Sequence, residues 1–374
     1  MKNFNLINKD PLIEITKNSL LNLPTPWSIS YLWNLGFLLG ITLILQVLTG
    51  LVLSINYIAH SSLAFDSVIH IIRDINRGWI IRYLHINGAS LFFFLIYIHI
   101  SRGIYFNSPI KLPIVWTSGI IILLCSIGAA FIGYVLPWGQ ISFWGATVIT
   151  RIISAIPYVG TSITQWIWGN FSVSQPTLNR FFSLHFLIPL AIIFLVIIHL
   201  LLLHKPGSSN PIGTNPDFDK TKFFPYFLVK DSNPLLLLII LIIVVLIINP
   251  NILGDVENFN LASPTSTPTH IQPEWYFLFA YAILRSIPSK LGGVIAIIIR
   301  ILCLIIPCFK NRKINKKFSP QKKYIIWIFI INIILLTWIG GNPVERPFTS
   351  IGILSTSFYF LIIFIISFPS LLRT

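Results

Sequence analysis

The stretch R-Y-L-H-I-N-G-A-S-L-F-F-F-L-I-Y-I-H-I-S-R, Arg82 to Arg102, decides the fold. It is apolar for most of its length, yet it carries His85 and His99 and is bracketed by arginines. A second stretch, R-F-F-S-L-H-F-L-I-P-L-A-I-I-F-L-V-I-I-H, Arg180 to His199, carries His185 and His199. In both, the histidines stand 14 residues apart. At about 100° per residue, 14 helical steps return to within about 40° of the start, with a rise of about 21 Å. Each pair therefore shares one helix face, and its members lie near opposite surfaces of an apolar layer about 30 Å thick.

The composition fits such a layer. Hydrophobic residues make up 55% of the 374 and charged residues 10%, against about 25% charged in soluble domains. Apolar runs near 32–55, 80–104, 114–136, 181–203, 229–249, 289–308, 322–341 and 350–371 predict eight spans, A to H. The sixth contains Arg300 and is the least regular. The expected class is all-α: a polytopic membrane protein with a four-helix bundle, A to D, followed by E to H. The net charge of +15 sits in short loops between spans, as topology signals do, and does not form a nucleic-acid-binding stripe. Eight spans put both termini on one side. The larger share of Lys and Arg on that side predicts that it is the negative one, matrix or cytoplasm. Two positive-side loops, Pro137 to Arg180 and Pro250 to Pro288, are too long for plain connections.

Spans B and D run in the same direction, so His85 is level with His185 and His99 with His199. Two bis-histidine sites stacked across the membrane suit six-coordinate, electron-transferring heme. Arg82 and Arg102 lie three residues outside His85 and His99. They can pair with heme propionates or simply snorkel to the interface. Gly36 and Gly50 in A, and Gly119 and Gly133 in C, repeat the 14-residue spacing. Gly50 and Gly133 fall at the level of His85 and His185, and Gly36 and Gly119 at that of His99 and His199. A glycine admits a flat macrocycle, although small residues also serve helix packing. Gln46, between the two glycines of A, belongs with the cofactor-binding candidates. The three cysteines, Cys125, Cys303 and Cys308, form no C-x-x-C, which argues against covalent heme, a disulfide framework or a cysteine-ligated cluster.

These residues, with G-Y-V-L-P-W-G-Q-I-S-F-W-G-A-T-V-I-T at Gly133 to Thr150, P-E-W-Y at Pro273 to Tyr276 and R-F-F-S-L-H-F at Arg180 to Phe186, carry a resemblance. The chain resembles mitochondrial cytochrome b across nearly its whole length. The resemblance implies the core subunit of ubiquinol–cytochrome c oxidoreductase, in the mitochondrial inner membrane with both termini on the matrix side. It implies two non-covalent b hemes, the low-potential one held by His85 and His185 and the high-potential one by His99 and His199. It further implies a quinol-oxidation site lined by Tyr134, Pro137, Gly145, Glu274 and Tyr281, closed by short helices after Trp138. A quinone-reduction site would use His204, Ser208, Lys230 and Asp231. Implied partners are a Rieske iron–sulfur protein, a c-type cytochrome subunit and other subunits of a dimeric complex. Residues 1–210 would form the diheme region, and 211–374 the region completing the quinol site.

The sequence departs from the family at L-H-K-P-G, Leu203 to Gly207, at Phe37, and at L-N-R-F-F before span D. From the residues themselves, Glu274 opens an apolar aromatic run after a polar loop, so its carboxyl is partly desolvated and fit to exchange a proton. It can equally serve as a local hydrogen-bonding group at a helix start. A photosynthetic-type relative would split after four helices and carry one more residue between the D histidines. A heme-free transporter would show broken helices or repeats around a midplane site; neither pattern is present.

Overall fold

The computed structural model describes residues 10–309 and 320–367. In hydrocarbon every backbone N–H and C=O must be satisfied within its own segment, so apolar runs of this length become helices. The longer ones are α1 Leu35–Ser54, α2 Ala64–Arg73, α3 Gly78–Tyr105, α4 Pro113–Val135, α5 Gln140–Arg151, α6 Gly160–Trp168, α7 Gln175–His204, α8 Tyr226–Ile248, α9 Leu278–Ser286, α10 Lys290–Leu302, α11 Pro320–Gly340 and α12 Phe348–Ser367. Hydroxyls inside the spans bond back to their own helix, as Thr42 does to the Leu38 carbonyl (3.0 Å) and Ser126 to that of Ile122 (2.8 Å). Large apolar side chains such as Leu187, Phe194 and Ile247 stay exposed, as a lipid-facing surface requires.

Spans A to E, G and H are α1, α3, α4, α7, α8, α11 and α12. Among the described residues, seven helices are long and apolar enough to cross a membrane. The sixth span does not form one long helix. α10 has 13 residues, about 20 Å at 1.5 Å per residue, and a separate turn of 3₁₀ helix follows at Ile306–Phe309. The segment still carries the chain from one end of the molecule to the other. Gly293 packs on Leu284 near the start of α10. Beyond α10, the Leu304 carbonyl accepts from Trp116 Nε1 (2.8 Å), and Cys308 contacts the Pro113 carbonyl at the start of α4 (3.9 Å). The end of span H past residue 367 lies outside the described residues.

α1 packs along α3, and α4 along α7. These two pairs make the four-helix bundle. α9, α11 and α12 pack into a separate apolar core built on Ile283, Ile326 and Leu336. Tyr97 links the halves by donating to the Tyr276 carbonyl (2.6 Å). One feature departs from all-α: Pro24–Pro26 and Lys220–Lys222 pair as a short antiparallel ribbon, Thr25 opposite Thr221, tying the N-terminal segment to the loop before α8. The two long loops hold the short helices α5 and α6, and α9 with a 3₁₀ turn at Trp275–Phe277.

Candidate functional site

The four histidines meet in two pairs between α3 and α7. The His85 and His185 ring centres are 6.2 Å apart and nearly perpendicular. A metal bonded to two opposed imidazole nitrogens at about 2 Å each separates the ring centres by about 6 Å, so this gap fits one metal atom. His99 and His199 lie within electrostatic reach of each other.

Neighbouring groups fix which nitrogen is free. Thr49 Oγ1 donates to the Leu45 carbonyl (2.7 Å), so its contact with His85 Nδ1 (2.9 Å) is one in which it accepts. Ser118 Oγ donates to Val115 (2.7 Å) and accepts from His199 Nδ1 (2.8 Å) in the same way. His185 Nδ1 donates to the Ala129 carbonyl (2.9 Å). Each of these rings carries its proton on Nδ1, which leaves the Nε2 lone pair for a metal. His99 differs: its Nδ1 faces Arg102 Nη2 at 3.2 Å, and a guanidinium only donates.

The glycines stand where the spacing predicts. A Cβ on Gly50 would lie 3.1 Å from His85 Cε1, one on Gly119 3.4 Å from His199 Cε1, and one on Gly36 3.9 Å from His99 Cε1; on Gly133 it would collide with the His185 ring. The glycines therefore make room for the imidazoles themselves. Gly88, not singled out from sequence, does the same for the Gln46 amide. Arg82 and Arg102 each bury an Nε that has no hydrogen-bond partner, as does the Gln46 amide nitrogen. Buried orphan donors beside each histidine pair suit a group bearing carboxylates. Among the described residues no three His, Cys, Asp or Glu side chains form a metal cluster, so further ligands would have to come from the group itself. Histidine pairs, glycine clearances and orphan guanidinium donors together fit heme.

The His85–His185 pair opens into a cavity of about 2150 Å³, counting space open to the outside. His85, His185, Gly50, Gly133, Gln46 and Arg82 line one part; Tyr134, Pro137, Asp255 and Glu274 line another. Tyr134 and Glu274 also line an adjoining chamber of about 300 Å³ with Gly145, beside which the structure has open space. Burial pushes the Glu274 carboxyl up to about 7, with Asp255 adding to it, while Arg82 and then the Tyr134 hydroxyl oppose the rise. Tyr281 lines neither chamber. Its hydroxyl donates to the Ile271 carbonyl (3.2 Å), and Arg285 stacks on its ring. Asp255 and Tyr57, which donates to the Leu136 carbonyl (2.7 Å), border the cavity without having been picked from sequence.

At the other face, Asp231 is buried, 7% exposed, and His204 ends α7. Lys230 Nζ donates to the Ile29 carbonyl and lies over the Tyr31 ring. The Asn34 amide donates to the Lys230 carbonyl (2.9 Å). Ser208 lies in the loop after α7 and is half-buried. Among the described interactions none joins His204 directly to Asp231.

Two family profiles match the chain: one described as Cytochrome b/b6/petB over residues 20–207, the other as Cytochrome b(C-terminal)/b6/petD over residues 261–360. A solved chain from a structure titled "Hyperthermophilic respiratory Complex III" is 30% identical. It superposes with a TM-score of 0.91, covering 98% of each chain.

Proposed function

The chain belongs to the cytochrome b family, and from that premise we propose that it is the diheme subunit of a quinol–cytochrome c reductase, a respiratory complex III. The observation that carries this reading is the pair of opposed, Nδ1-anchored imidazoles on α3 and α7, at the floor of a cavity that also holds Glu274. His85 and His185 hold the low-potential heme b, and His99 and His199 the high-potential one. Bound there, the hemes supply reversible one-electron transfer across the membrane.

The chain's own residues do the rest. Arg82 and Arg102 present buried guanidinium donors to the propionates. Gly36, Gly50, Gly119 and Gly133 keep the imidazole positions clear, and Gln46 packs beside the positive-side pair. Ubiquinol binds in the cavity near Pro137 and Gly145 and is oxidised there. Glu274 accepts a proton, because a carboxyl near 7 can both take and release one at neutral pH. The Tyr134 hydroxyl orients that carboxyl. Tyr281 supports the wall through Ile271 rather than facing the cavity. At the negative face, His204 and Asp231 deliver protons to quinone, with Ser208 and Lys230 at the rim.

Residues 1–210 form the diheme region, and 211–374 complete the quinol site. The chain's separated cysteines offer no cluster site, so the second electron acceptor is a separate Rieske iron–sulfur protein that passes electrons to a c-type cytochrome subunit. The complex is dimeric and sits in the mitochondrial inner membrane, with both termini of this chain on the matrix side and proton release on the other, contributing to the proton gradient. Quinol-dependent reduction of b heme and of cytochrome c, measured on the complex by rapid mixing, tests the reading. Both reactions are expected, and Glu274→Gln should slow both together. Quinol oxidation at an unaltered rate in that variant would contradict the assignment of the site.

A further inference from the structure

Arg300 lies in the last turn of α10, 9% exposed, with no hydrogen-bond partner for Nε. Its guanidinium stacks on the Phe279 ring, 4.7 Å from the centroid. Phe279 packs edge-on against Tyr97 at 5.6 Å. Tyr97 and Tyr359 lie within its electrostatic reach, and neither ion pair among the described residues involves Arg300. A cation inside a membrane span is costly and is normally paired or functional. Here it is held on an aromatic face, and among the described residues no carboxylate pairs with it, so its charge acts on its surroundings.

Those surroundings include the negative-side histidine pair. Tyr97 and His99 are two residues apart on α3, a rise of about 3 Å and a turn of about 200°. The guanidinium, beyond the Tyr97 and Phe279 rings, therefore lies across α3 from His99, more than one helix diameter away but nearer the depth of His99 than that of His85. His85 is about 18 Å further along the same helix. Reduction adds an electron, and a fixed cation stabilises the reduced form more the closer it lies.

We propose that Arg300 is a fixed buried cation that raises the reduction potential of the heme held by His99 and His199, making electron transfer from the positive-side heme downhill. This rests on the diheme reading. Arg300 acts at a distance and is a tuning residue, touching neither heme nor quinone.

The test is a potentiometric titration of the b-type absorbance in membranes holding the intact complex with Arg300→Met or Arg300→Lys. The two components are assigned by the His99→Leu variant, which lacks one of them. With both hemes retained, Arg300→Met should shift the negative-side component downward, and the positive-side component by less. Arg300→Lys, which keeps the charge, should restore most of the value. If the Met variant does not assemble, Arg300→Gln gives the same comparison with a polar head of similar reach. Two retained hemes with neither potential moved, or both moved equally, would overturn the proposal. Unchanged potentials also mark the outcome in which Arg300 serves packing alone. A wild-type complex without b-type absorbance would instead overturn the diheme reading beneath it.

Discussion

Replacing Gly133 with alanine puts a methyl group where the His185 ring stands. The added Cβ would overlap three ring atoms, and the ring cannot swing aside without leaving the Ala129 carbonyl that fixes its tautomer. Overpacking of this kind costs about 1–3 kcal/mol, and loss of the Nδ1 hydrogen bond about 1 kcal/mol more. A total of about 2–4 kcal/mol corresponds to roughly 30-fold to nearly 1000-fold weaker retention of the positive-side heme. The same substitution grades down along the other glycines. Gly50→Ala brings its Cβ to 3.1 Å from the imidazole, Gly119→Ala to 3.4 Å, and Gly36→Ala only to 3.9 Å, an ordinary contact. The b-heme content per protein, from reduced-minus-oxidised spectra of the four variants, should therefore fall furthest for Gly133→Ala and stay near wild type for Gly36→Ala. Full occupancy at unchanged potentials in Gly133→Ala, or an equal loss in Gly36→Ala, would refute the reasoning.

Three further outcomes are expected. With the Glu274 carboxyl held up to about 7, it is protonated at lower pH and cannot accept a proton there; quinol oxidation should rise with pH through that region, and Glu274→Gln should flatten the rise in a pH–rate profile. Asp231→Ala should slow reoxidation of the negative-side heme by quinone, leaving heme content intact; rapid mixing with quinol oxidation blocked reads this directly, and an unchanged rate removes Asp231 from the site. Arg102→Ala takes a cation from beside His99 and should lower the potential of the negative-side heme in a redox titration, whereas a shift confined to the other heme would reverse the depth assignment.

How much of this was legible in the sequence follows from what repeats with helical phase. Four histidines and four glycines at one spacing encode depth and face together, so the bundle and its pairings could be read directly. The span limits were near the mark because hydrocarbon thickness sets them. The sixth span misled because an unbroken apolar run says nothing about where a helix stops: the chain turns after Leu302, two residues past a buried arginine. The ribbon at Pro24–Pro26 was invisible, since a three-residue strand that begins and ends on proline carries no strand signal. In sequence, Thr49 and Ser118 look like ordinary helix hydroxyls. A signal was there, because each immediately precedes one of the spaced glycines, and a hydroxyl that bonds back to its own helix can still accept from an imidazole. Asp255 reaches Glu274 only through the folding of the long second loop, a juxtaposition that no local pattern records. Tyr281 shows the converse: a residue in the right segment can turn its hydroxyl into the wall instead of the cavity.

The central claim, two hemes at two depths between α3 and α7, is tested most directly by potentiometric titration of the b-type absorbance in membranes holding the wild-type, His85→Leu and His99→Leu chains. Two components of similar amplitude and distinct potential are expected in the wild type, with His85→Leu deleting one and His99→Leu the other. A single wild-type component, or loss of the same component from both variants, would contradict the account.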